Sequence, residues 1–107
     1  MQLMIIYNVT IKVANAIVTD WEAWMKTEHL PDMMKTGKFS GYRMCALEEV
    51  TDDDDSRTFV VQYECENMEA YRSYITEHSE MMRQDGIKRF GNQFIAFRTI
   101  MEMIQKG

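Results

Sequence analysis

Residues 39–65 read FSGYRMCALEEVTDDDDSRTFVVQYEC, two alternating arms on either side of an acidic loop. The arms are 39–50 and 57–65, and the six residues 51–56 carry the short polar side chains that favour a turn. Setting Val50 opposite Arg57 gives a hairpin register in which Cys45 faces Gln62 and Cys65 faces Tyr42. Tyr42, Met44 and Ala46 then share a sheet face with Phe59, Val61 and Tyr63, while Arg43, Cys45 and Leu47 lie on the other face beside Val60, Gln62 and Glu64. The first set is the more apolar and is expected to carry helices.

Upstream, residues 4–13 alternate as a strand, with Ile5, Tyr7, Val9, Ile11 and Val13 on one parity and Met4, Ile6, Asn8, Thr10 and Lys12 on the other. Thr19 followed by Glu22 has the pattern of a capping box, so a helix is expected from about Asp20, with Trp21, Trp24 and Met25 on one face. Pro31 disfavours helical geometry at Leu30, which predicts an end near His29 and a further short turn stopping at Gly37. Downstream, Asn67 is a good N-cap, and Tyr71, Tyr74, Ile75, His78, Met81 and Met82 recur at helical spacing up to Gly86, read as the residue past the helix end. Residues 86–91, GIKRFG, read as a loop, and 93–101 alternate again as a strand. The order β-α-β-β-α-β predicts an α+β, ferredoxin-like fold, a four-stranded antiparallel sheet with two helices on one face. The other face mixes apolar and polar side chains and calls for a second copy of the chain.

The chain has 107 residues, which suits one domain spanning 1–107. Twelve basic against seventeen acidic residues give a net charge of −5, which argues against nucleic acid or an anionic membrane as partner. No apolar run approaches the roughly 20 residues that span a bilayer, and the start MQLMIIYNV lacks a basic leader, so a cytoplasmic location is expected. Cys45 and Cys65 are too few and too widely spaced for a zinc site. On opposite faces, about 10 Å apart along the strands, they are expected as free thiols.

The stretch Trp21-Glu-Ala-Trp24, His29-Leu-Pro31, Gly37-Lys-Phe39 and Tyr42 resembles the first helix and turn of dimeric α/β-barrel proteins, in the branch of the EthD-like and stress-responsive barrels. With Tyr7-Asn-Val-Thr10, Gln62-Tyr63 and Phe97-Arg-Thr99, the whole chain is similar to a family of small bacterial proteins of unknown function in that superfamily. The resemblance implies a homodimer with two sheets face to face, forming a dimeric α/β barrel, and no particular reaction. Haem-degrading oxygenases share the fold. They place an asparagine on strand one and a histidine on helix two, which Asn8 and His78 match by position, but also a tryptophan earlier on helix two, where this chain has Met68 and Tyr71.

Candidate site residues each carry a plainer alternative. His29 is the catalytic candidate, since an imidazole moves protons near neutrality; otherwise it caps the last carbonyls of its helix. Trp24, with Trp21, could wall a pocket for a small apolar or aromatic ligand, with Tyr7 or Tyr63 as polar tip, or be helix-to-sheet core. Arg98 could clamp a ligand carboxylate or pair with Glu64. Asn8 and Gln62 could orient a ligand or bond across a dimer. The four aspartates 52–55 read as a solvated turn, because a calcium loop needs the glycine and glutamate missing here. Lys88 and Arg89 are too small a basic patch for nucleic acid. The leading expectation is a homodimeric small-molecule binder or small enzyme with a cleft between sheet and helices. The alternatives are a haem-degrading monooxygenase-like protein and a non-catalytic interaction module, and no cofactor or metal is assigned.

Overall fold

The computed structural model describes residues 4–48 and 55–107. Strand β1 (Ile5–Ala14) leads through a 3-10 turn (Asn15–Ile17) into helix α1 (Val18–Trp24), a π-helical turn (Met25–His29) and helix α2 (Leu30–Lys35). Strands β2 (Gly41–Ala46) and β3 (Ser56–Cys65) follow, then helices α3 (Met68–Glu77) and α4 (Ser79–Phe90) and strand β4 (Phe94–Glu102). The sheet is antiparallel throughout in the order β2-β3-β1-β4. This is the expected ferredoxin-like α+β architecture.

Alternation along the strands divides the sheet as expected. Tyr7, Val9, Ile11 and Val13 of β1 and Phe59, Val61 and Tyr63 of β3 are buried, against Trp21, Trp24, Met25, Leu30, Met33, Tyr74, Met82 and Phe90 from the helices. Truncating one such aromatic to alanine typically costs about 3–5 kcal/mol, so this layer carries much of the stability. On the open face Gln62 Nε2 donates to Asn8 Oδ1 at 3.3 Å, and Asn8 Nδ2 donates to Thr10 Oγ1 at 3.4 Å.

Several expectations are corrected. The hairpin register is shifted by two residues: Tyr42 pairs with Tyr63 and Cys45 with Val60, not with Cys65 and Gln62. A shift of two keeps every side chain on its face, so alternation cannot detect it. The stacked Tyr42 and Tyr63 rings, 6.5 Å apart, and Arg57 reaching both Glu48 and Glu22 accompany the observed pairing. Val50 and residues 51–54, with most of the aspartate run, lie outside the described residues. Both cysteines are free, Cys45 exposed and Cys65 buried.

The first helix does not stop at His29. Leu30 is helical (φ −63°, ψ −44°), and its N–H reaches back five residues to the Met25 carbonyl. Pro31 has no N–H to give Thr27 and would crowd that carbonyl in a tight α-turn; a π-turn widens the helix locally instead of ending it. Thr27 Oγ1 also donates to the Ala23 carbonyl at 2.8 Å. Thr19 is inside α1, which starts at Val18 without a side-chain cap, so the capping box is not formed.

Gly86 lies inside α4, and the GIKRFG stretch is mostly its last turns, ending at Gly91 with φ 62°. Gly86 is there for space. A Cβ on it would sit 3.2 Å from Phe94 Cζ and 3.5 Å from Trp24 Cη2. The N-cap at Asn67 holds, its side chain accepting from Ala70 N at 2.9 Å. The second helix is broken at His78 (φ −129°, ψ −30°) into α3 and α4.

Candidate functional site

A cleft of about 330 Å³ opens between the buried sheet face and the helices. Its floor is sheet, with Tyr7, Tyr63 and Arg98; its wall is helix, with Trp24, His29 and Gly86. Four of the five expected site residues, His29, Trp24, Tyr63 and Arg98, therefore line one space.

The π-turn makes this possible. Five residues along an α-helix rotate a side chain by about 140° from its start, whereas the i to i+5 hydrogen-bonding period of a π-turn takes more residues per turn and narrows that angle. The Trp24 and His29 rings stack with centroids 4.7 Å apart and planes at 26°. His29 is thus not the cap of a helix end. Its Nδ1 is shielded from solvent and has no hydrogen-bond partner among the described residues. Burial pushes the imidazole down to about 4, with Asp32 and Asp85 opposing and Arg98 adding to the shift. The ring is neutral at pH 7, because its charged form would bury an N–H without an acceptor.

Arg98 falls on the helix-facing parity of β4, opposite Val9, and is exposed at the rim. Its Nε donates to the Tyr7 hydroxyl at 2.9 Å. The expected pairing with Glu64 does not form: Glu64 is on the open face, opposite Ile6 and Gly41. Among the described residues no carboxylate pairs with Arg98. Tyr7 sits within 6.2 Å of the rings of Phe39, Tyr63, Tyr71 and Tyr74, and burial raises its phenol above the usual value, with Arg98 partly opposing. Tyr63 and Tyr74 are also raised by burial, so all three stay protonated. The Tyr74 hydroxyl contacts Met33 Sδ at 3.3 Å.

Asn8 is not part of this cleft. Its strand parity places it on the open face, bonded to Gln62, while His78 lies on the helix side against Tyr74 at 6.3 Å. The sheet separates the two residues that match haem-degrading barrels by position. Gly86 and Phe94 escaped sequence reading as cleft residues because the glycine resembled a helix terminator. The signal for the stack was present in the pairing of Trp24 and His29, five apart, just before Pro31. Among the described residues no three His, Cys, Asp or Glu side chains gather as a metal site, and no helix there is long and apolar enough to cross a membrane.

Solved structures share this fold at low identity. A dimeric ferredoxin-like protein from an uncultured marine organism superposes with a TM-score of 0.74 at 11% identity, covering 99% of this chain and 100% of that one. An EthD-like protein from Ralstonia eutropha JMP134 gives 0.70 at 16%, covering 100% and 97%. SnoaB, a cofactor-independent oxygenase from Streptomyces nogalater, gives 0.66 at 10%, covering 95% of each. At such identities the likeness concerns the fold. None of the curated proteins matches the chain. An expected family of unknown function is found: the chain belongs to the DUF4286 family, a domain of unknown function, which it matches over residues 4–104.

Proposed function

We propose that the protein is a homodimer that binds a small, largely apolar ligand in the cleft between its sheet and its helices. The observation that carries this reading is the cleft itself, which joins aromatic walls to an arginine with no carboxylate partner among the described residues. Small-molecule sites are of this kind, mostly apolar with a few placed polar groups and volumes from ~300 Å³ upward. His29 serves better as a ligand contact than as a catalytic base, because an imidazole that holds its proton only below about pH 4 is a weak base at neutrality. The dimer is supported by Ile95, Phe97 and Met101, which share one face of β4 and stand exposed beside the Asn8–Gln62 bond. The marine structural neighbour, described as dimeric, is consistent with it.

Extraction of the purified protein into denaturing solvent, followed by mass spectrometry, tests the binding reading. A small molecule recovered near one per chain, and reduced in Gly86→Val, supports it. An empty protein whose tryptophan fluorescence no aromatic probe quenches would leave the non-catalytic interaction module as the better account.

A further inference from the structure

Hydrogen-bond donors dominate the polar lining of the cleft. Arg98 has one N–H engaged by the Tyr7 hydroxyl, and its two terminal amino groups are without a carboxylate among the described residues. The Tyr7 oxygen accepts from Arg98, so its own proton is free to be given elsewhere, and the phenol stays protonated. The carboxylate among the lining residues, Glu80, is engaged by Arg83 and by Gln84 Nε2 at 3.2 Å. His29 holds no positive charge at neutral pH, and with Nδ1 enclosed, only Nε2 is left to face a ligand. Unengaged donors without matching acceptors describe a site built for an anion.

The number of charges narrows the anion. One guanidinium in the cleft without a carboxylate partner among the described residues, in a chain of net charge −5, compensates one negative charge and not two. Its terminal fork matches the two oxygens of a carboxylate in its own plane, a geometry that a point charge does not select. Trp24 and Phe94 meet over Gly86 and offer flat apolar surface, and a volume of about 330 Å³ suits one or two fused rings.

We propose that the cleft is a site for planar aromatic monocarboxylic acids, with the carboxylate held by the Arg98 fork and the Tyr7 hydroxyl and the ring system lying against Trp24 and Phe94. This assignment rests on the small-molecule reading above and adds the chemical class of the ligand. Tyr7 is a binding residue in this arrangement twice over, since it also orients the guanidinium.

Titration of the whole protein with 2-naphthoate and with its neutral counterpart 2-naphthalenemethanol, read by tryptophan quenching and by calorimetry, tests the class. The acid is expected to bind at least tenfold tighter than the alcohol. Arg98→Gln should remove that preference and leave the alcohol's affinity in place; Arg98→Lys, which keeps the charge and loses the fork, should fall between; Tyr7→Phe should weaken the acid alone. Circular dichroism confirms that each variant is folded, and the alcohol serves as the internal control. Equal binding of acid and alcohol to the natural protein, or a preference that survives Arg98→Gln, overturns the acid assignment and leaves the binding cleft standing. Binding of neither probe overturns the assignment and the cleft reading together.

Discussion

The rings of Trp24 and His29 stack at 4.7 Å although five residues separate them, because the helix between them runs through a π-turn instead of an α-turn. That turn aligns two side chains an α-helix would splay apart, and both line the cleft. It also places Glu28 within 3.6 Å of Arg89, so an ion pair joins the turn to α4.

Pro31→Ala should let the helix tighten. A regained N–H to the Thr27 carbonyl is worth about 1 kcal/mol. The variant is therefore expected to unfold at higher urea, while His29 rotates away from Trp24 and tryptophan emission shifts. An unchanged stack, seen by the ring-current shifts of the His29 protons, would place the cause of the π-turn in the packing of Met25, Leu30 and Met33.

Acid should destabilise the protein through His29. The folded-state value, about 4, lies below the ordinary 6.5 of the unfolded chain, so between these limits the unfolded state binds the proton and the folded state does not. The stability is fully present above pH 6.5 and is lost as pH falls towards 4, by about 3 kcal/mol at most. Urea titrations at pH 7 and 4.5 measure it. His29→Phe keeps a ring against Trp24, and its pH dependence should be flatter than that of the natural protein over this window.

Gly86→Val should cost about 1–3 kcal/mol, because added carbons in a packed site force neighbours off their preferred positions. The first of them already falls 3.2 Å from Phe94. Phe94 lines the cleft, so displacing its ring should weaken any ligand as well. Denaturation and probe titration on the same sample separate the two effects; loss of stability with full binding would place the ligand elsewhere.

Phe97→Asp should break the dimer. Phe97 is 60% exposed and lies between Ile95 and Met101 on the open face. A carboxylate there would be desolvated in an interface at a cost of several kcal/mol. Light scattering is expected to give twice 12.7 kDa for the natural protein and 12.7 kDa for the variant. A natural protein that remains monomeric at micromolar concentration would remove the dimer from the proposal.

Sequence alone determined the strand and helix order, the faces of the first three strands but not of the fourth, and the gathering of Trp21, Trp24 and Met25 onto one helix side. These follow from periods of two and of three to four, which are local and survive any small error of register. Only the tertiary structure decided the rest. A two-residue shift of the hairpin leaves every face unchanged, so pairing partners had to settle it. Pro31 looks like a helix stop because proline forbids an α-turn, yet the core burial of Met25, Leu30 and Met33 keeps the chain helical and the strain is taken up as a π-turn. Gly86 looks like a terminator because free glycine favours ends, while here two rings from elsewhere in the chain claim the space of its missing side chain. The cleft is made at those last two places, where contacts distant in sequence outweighed local preference.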